Sequence, residues 1–96
     1  MIKDDHKTEN MQKLLYQTLL SCRTEEDVAA LLEDLCTYKE VEQMAQRVRA
    51  AQLLAAGKTY AEVIEETEIS SATLSRVSRC IRHGSGGYGK CVPKED

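Results

Sequence analysis

The chain has 96 residues, a formal net charge of −3, four tyrosines and neither Phe nor Trp. That length is one domain, near the lower limit at which a monomer covers enough surface, and a core of Leu, Val, Ile, Ala and Met is lean, so burial shared between two copies would add stability. No run approaches a membrane span or a secretory signal, the start MIKDDHKTEN is polar, and Cys22, Cys36, Cys80 and Cys91 form no CxxC pair. These features point to a cytoplasmic protein with reduced thiols.

Met11, Leu14, Leu15 and Leu19 give a first amphipathic helix from about Asn10 to Ser21. Thr24 caps a second, with Glu25, Glu26 and Asp27 at the positive end of its dipole and Val28, Leu31, Leu32 and Leu35 as its apolar stripe. Thr37 and Glu40 have capping-box spacing at the start of a third, whose stripe is Val41, Met44, Ala45, Val48 and Leu54 and whose stop is Gly57. Thr59 and Glu62 repeat the capping-box spacing before Val63 and Ile64, which begins a fourth helix. Thr67 and Glu68 lead out of it, Ile69 plugs a turn, and Ser70 caps a fifth helix with Leu74, Val77 and Ile81 on one face. Nothing has the period of a strand. The expectation is an all-α chain of five to six helices, a single domain over residues 1–83 with a helix-turn-helix at about 59–82. Residues 84–96 hold four of the five glycines and the one proline, and are expected to form a flexible tail.

The fifth helix turns Ser71, Ala72, Thr73, Ser75, Arg76, Ser78, Arg79 and Arg82 away from its apolar face, the short polar and basic side chains that suit a major groove. The net charge conceals a split. Residues 1–68 carry eight Lys/Arg and fourteen Asp/Glu, net −6, whereas residues 69–94 carry five Lys/Arg and no acid. Phosphate neutralisation therefore has one home in the chain. The plain alternative is a solvated face with basic charge near a helix C-terminus. A rival function is a small dimeric helical interaction module whose basic surface docks an acidic protein. Cys80, His83 and Cys91 lack a fourth partner and the spacing of a zinc module. No Ser/His/Asp grouping or phosphate-cradling loop is present, so neither an enzyme nor a cofactor is expected.

The run from Leu31 to Ile81, with its QRVRAAQLL and ATLSR segments in one frame, resembles the Trp repressor superfamily, and more closely its YerC/YecD-type branch than Trp repressor itself. The resemblance implies a sequence-specific DNA-binding transcriptional regulator, with repression as the expected output, working as an intertwined homodimer. It places Ser71, Ala72, Thr73 and Ser75 at base edges and Tyr60 near phosphates. A wet interface is implied too, because Trp repressor meets its operator bases largely through water. Ala61 stands where Trp repressor has a basic residue. The arginine pair that sandwiches tryptophan there falls on Arg47 and Arg76, the pocket serine becomes Cys80, and the glycine beside the indole becomes Val77. The valine argues against tryptophan as effector and leaves any other small molecule unidentified.

Overall fold

The computed structural model describes residues 5–95, and its regular elements are all helices: α1 (Asp5–Leu20), α2 (Glu25–Leu35), α3 (Tyr38–Ala55), α4 (Tyr60–Thr67), α5 (Ser71–His83) and α6 (Gly87–Cys91). No described residue lies in a strand, and among the described residues no helix is long and apolar enough to cross a membrane. The chain divides into two compact units, residues 1–38 and 39–96.

The first unit holds α1 and α2. The α2 start follows its cap residue: Thr24 Oγ1 accepts from the Asp27 amide at 3.0 Å, and Asp27 Oδ2 accepts from the Arg23 amide at 3.0 Å. Two orphan amides are thereby satisfied, and three acids sit at the positive end of the helix dipole. α1 begins at Asp5 rather than Asn10, so its first turn consists of polar residues that no apolar period announces. Neither helix has a core of its own. No residue from His6 to Leu35 is buried, and Met11, Leu14, Leu19, Leu20, Val28 and Leu35 are all exposed, Leu20 by 84%.

The second unit contains the core. Ala50, Ala51 and Leu53 from α3, Val63 from α4, Ile69 from the following turn, and Leu74 and Val77 from α5 are buried, with Leu54, Ile64 and Tyr88 packed against them. Residues three or four apart on each helix share this side, as helical period requires. α3 ends in paired backbone hydrogen bonds, Gly57 N–H to Leu54 O (3.0 Å) and Lys58 N–H to Leu53 O (3.1 Å), the pattern of a Schellman stop with glycine in the left-handed position.

The sequence suggests a flexible tail, and the structure instead has α6 there, continued by a segment that returns to α3. Two of the glycines explain the difference. A Cβ on Gly84 would lie 2.4 Å from the Cys80 carbonyl oxygen, and Gly86 has φ +85°. They are the residues that let the backbone turn sharply out of α5.

Candidate nucleic-acid interface

The candidate site is built on α4, α5 and the turn between them. α4 opens with the expected capping box: Thr59 Oγ1 accepts from the Glu62 amide (3.2 Å) and Glu62 Oε1 accepts from the Thr59 amide (2.9 Å). The Thr59 backbone N–H and then its hydroxyl hold the Glu62 carboxyl below its ordinary pKa.

Residues 68–70 connect the helices. Glu68 caps α4 in a left-handed conformation, φ 61° and ψ 18°, and donates its N–H to Ile64 O at 2.8 Å. The Thr67 hydroxyl donates to Val63 O (2.7 Å) and accepts from the Ile69 amide (3.2 Å). Gln46 Nε2 on α3 donates to Thr67 O at 3.2 Å. Buried Ile69 then anchors the turn in the core.

The Ser70 hydroxyl caps α5, accepting from the Thr73 amide (3.2 Å) and donating to Thr73 Oγ1 (2.8 Å). Leu74 and Val77 point into the core. Ser71, Ala72, Ser75, Arg76, Arg79 and Arg82 are exposed, as is Tyr60 at the first position of α4, while Thr73 is half-buried. Ser71, Ser75, Arg79 and Arg82 follow one another at spacings of four, four and three, so they line one open row. No acid lies on α5, and among the described residues no ion pair engages Arg76, Arg79 or Arg82. Their cationic groups are free to meet anions.

A second row faces elsewhere. Thr73, Arg76, Val77 and Cys80 line a cavity of about 310 Å³ together with Arg47 of α3 and Tyr88 of α6. The arginine pair named from the sequence is thus brought to one cavity. Thr73 and Arg76, expected on DNA, line it as well. Val77 is 1% exposed and narrows this cavity without filling it. The four cysteines are free thiols, and Cys80, His83 and Cys91 do not gather into a metal-holding group among the described residues.

Two features lie beyond the sequence patterns. Arg49 joins three segments, with Nη2 on Glu66 of α4 (2.6 Å) and Nη1 on both Gln52 (2.6 Å) and Glu95 (2.8 Å). The bond to Glu66, and then that to Glu95, raises the pKa of the guanidinium. Arg47 and Arg49 are two apart on a helix, which directs them to different neighbours, Arg47 to the cavity and Arg49 to α4. Tyr88 is the second, and the lone aromatic residue in a glycine-rich tail is the signal that could have revealed it.

The model of the Trp repressor protein family matches residues 9–96. The chain is 39% identical over 74 residues to the uncharacterized protein YerC of Bacillus subtilis (strain 168), covering 77% of this chain and 71% of that protein. Its fold is similar to a crystal structure described as a candidate Trp repressor from Staphylococcus aureus (TM-score 0.86, 25% identity, 99% of this chain and 100% of that one). It is also similar to a TrpR-like protein from Eubacterium eligens ATCC 27750 (TM-score 0.81, 33% identity, 92% and 90% of the respective chains). With nearly the whole length matched, this chain belongs to the Trp repressor family, as a YerC-type, Trp-repressor-like protein.

Proposed function

We propose that the protein is a homodimeric, sequence-specific DNA-binding transcriptional regulator, with repression as its output, that inserts α5 into the major groove. The observation that carries this reading is the exposed row Ser71, Ser75, Arg79 and Arg82, basic and without acid, on a helix whose start and whose inner face are both fixed. A groove-reading helix needs those properties together: rigid placement, short side chains at its N-terminal end for base edges, and cations for phosphates. Ser and Thr bond several base edges and Ala meets a thymine methyl, so readout by Ser71, Ala72, Thr73 and Ser75 is permissive and suits water-mediated contacts. Tyr60 stands at the N-terminal end of α4 for phosphate. Thr73 has a further duty, since its amide and hydroxyl both engage the Ser70 cap. The dimer is supported by the bare apolar stripes of α1 and α2, which a second copy would cover.

Tryptophan is not the effector in this reading. Val77 and Tyr88 occupy walls of the cavity in which Arg47 and Arg76 meet. A planar indole seated between the guanidinium groups would press on the branched Val77 side chain, at about 1 to 3 kcal/mol of overpacking. Calorimetric titration with millimolar tryptophan should give no uptake, and Val77→Gly is the variant in which affinity would emerge. Stoichiometric binding by the unaltered chain would contradict this.

Selection of bound fragments from a genomic library tests the main reading. Recovery of a shared pseudo-palindrome with half-sites about 34 Å apart is expected. Recovery without any common sequence would contradict it, and loss of all binding at moderate salt would favour an acidic protein partner.

A further inference from the structure

We propose that the segment from Tyr88 to Glu95 is a strap that pins α5 to α3, with the Tyr88 ring as a built-in aromatic plug that sets the position of the DNA-facing helix without a small molecule. Tyr88 is the residue common to two cavities. One is the space of about 310 Å³ beside Arg47, Arg76 and Cys80. The other, of about 110 Å³, lies between α3, Ile81 of α5, and the strap residues Gly89, Val92, Pro93 and Lys94. Tyr88 therefore borders both spaces, half-buried against the core cluster to which Val77 and Leu74 belong.

The rest of the strap is tied to α3 by polar groups. Gln52 Nε2 donates to Pro93 O at 2.8 Å, and Arg49 holds Glu95 at 2.8 Å while also holding Glu66 of α4. The route into the strap is fixed by Gly84, whose amide donates to Cys80 O at 2.8 Å with no room for a Cβ, and by the left-handed Gly86. Lys90 N–H to Gly86 O (3.0 Å) and Val92 N–H to Tyr88 O (3.1 Å) close the short helix that aims the ring inward. The chain leading into the strap is thus fixed on α5 at Gly84, and the strap's far end is fixed on α3 by Gln52 and Arg49. A segment fastened in this way resists rotation of α5 relative to α3, the motion that would move the exposed basic row. Its apolar plug supplies packing that would otherwise be an empty, destabilising void.

The consequence for DNA rests on the function proposed above, whereas the strap itself can be tested without DNA. Cys80 lines the cavity beside Tyr88 and is half-buried, so its alkylation by iodoacetamide reports how well the plug is seated. Peptide mass spectrometry on the full chain separates it from Cys22, Cys36 and Cys91. Tyr88→Ala should alkylate Cys80 about tenfold faster or more, Tyr88→Phe within about twofold of the unaltered chain. Millimolar 4-methylphenol, the tyrosine side chain as a free molecule, should slow the Ala variant again by filling the vacated space. Tyr88→Leu keeps an apolar group on the cluster and provides a folded variant should alanine prevent folding; about threefold acceleration is expected there. Cys80 rates unchanged in the folded variants, or acceleration that 4-methylphenol does not reverse, would overturn the strap. In a DNA-binding assay Tyr88→Ala should bind more weakly and recover with 4-methylphenol; DNA affinity unaffected by the substitution would overturn the coupling to α5. If Cys80 behaves as expected but the unaltered chain binds no DNA, the strap stands and the DNA-binding reading fails.

Discussion

Single residues decide where the backbone of the second unit turns, and two of them do so for opposite chemical reasons. Glu68 adopts a left-handed conformation with a full side chain, held by its N–H on Ile64 O and by buried Ile69 next to it. Gly84 has an ordinary negative φ but no space, because a methyl group there would sit 2.4 Å from the Cys80 carbonyl oxygen. Backbone atoms cannot rotate aside as the end of a flexible side chain can, so Gly84→Ala should lower stability by about 2 kcal/mol and loosen α6. Urea denaturation reads the first effect and hydrogen exchange at the Lys90 and Val92 amides the second. Stability equal to the parent would show that the α5–α6 turn has slack the structure does not suggest. Gly84 also shows why glycine content in a tail does not by itself mean a free backbone. Glycine content in a sequence signals freedom, but the same residue is required where backbone approaches backbone, and only the folded partner distinguishes the two cases.

At the scale of elements, the local chemistry was legible and the tertiary chemistry was not. Thr24, Thr59 and Ser70 each cap the helix expected of them, because a cap is a bond between residues three apart and needs nothing distant. The buried stripe of α5 followed from its period. Ile81, expected with Leu74 and Val77, is 39% exposed because it lies beyond the core cluster, toward the strap. The bonds from Gln46 to Thr67, Arg49 to Glu66 and Gln52 to Pro93 span 17 to 41 residues, and no local pattern encodes them. The α4 cap gives a prediction with a sign. Thr59→Ala should lower stability by about 1 kcal/mol. The Glu62 carboxyl has a folded pKa depressed by Thr59, so its contribution is present above the unfolded glutamate value of about 4.3 and is lost as pH falls through the folded value. Glu62→Gln should therefore be less stable than the parent at pH 7, and the gap should close below pH ~4. A gap that persists undiminished in acid would remove the charge from the account.

The whole molecule poses a question of coverage. The second unit has a connected core, whereas α1 and α2 expose Met11, Leu14, Leu20 and Leu35 by more than half of each residue's surface. Burying such side chains is worth about 1.5 to 3 kcal/mol each, which favours association of two copies through these helices. Sedimentation at micromolar concentration should give twice the chain mass, and Leu14→Glu with Leu19→Glu should abolish the dimer and lower the melting temperature. A monomer with unchanged melting in the unaltered chain would contradict this. Composition hinted at such sharing, since a chain without Phe or Trp has little with which to fill a monomeric core. The charge split between residues 1–68 and 69–94 likewise points to the exposed row of α5, while the cavity behind it needs α3, α5 and α6 assembled before it can be seen.

The central claim is that Arg79 and Arg82 of α5 meet DNA phosphates from both copies of a dimer. Its most direct test is the salt dependence of binding to a selected duplex, measured by fluorescence anisotropy for the parent and for the Arg79→Ala, Arg82→Ala double variant. Each phosphate neutralised contributes a slope of about −0.9 in log K against log salt, so removing four contacts should flatten the slope by about 3 to 4 and weaken binding across sequences alike. Identical slopes and affinities for the two proteins would contradict the claim and leave the basic row of α5 as a solvated surface.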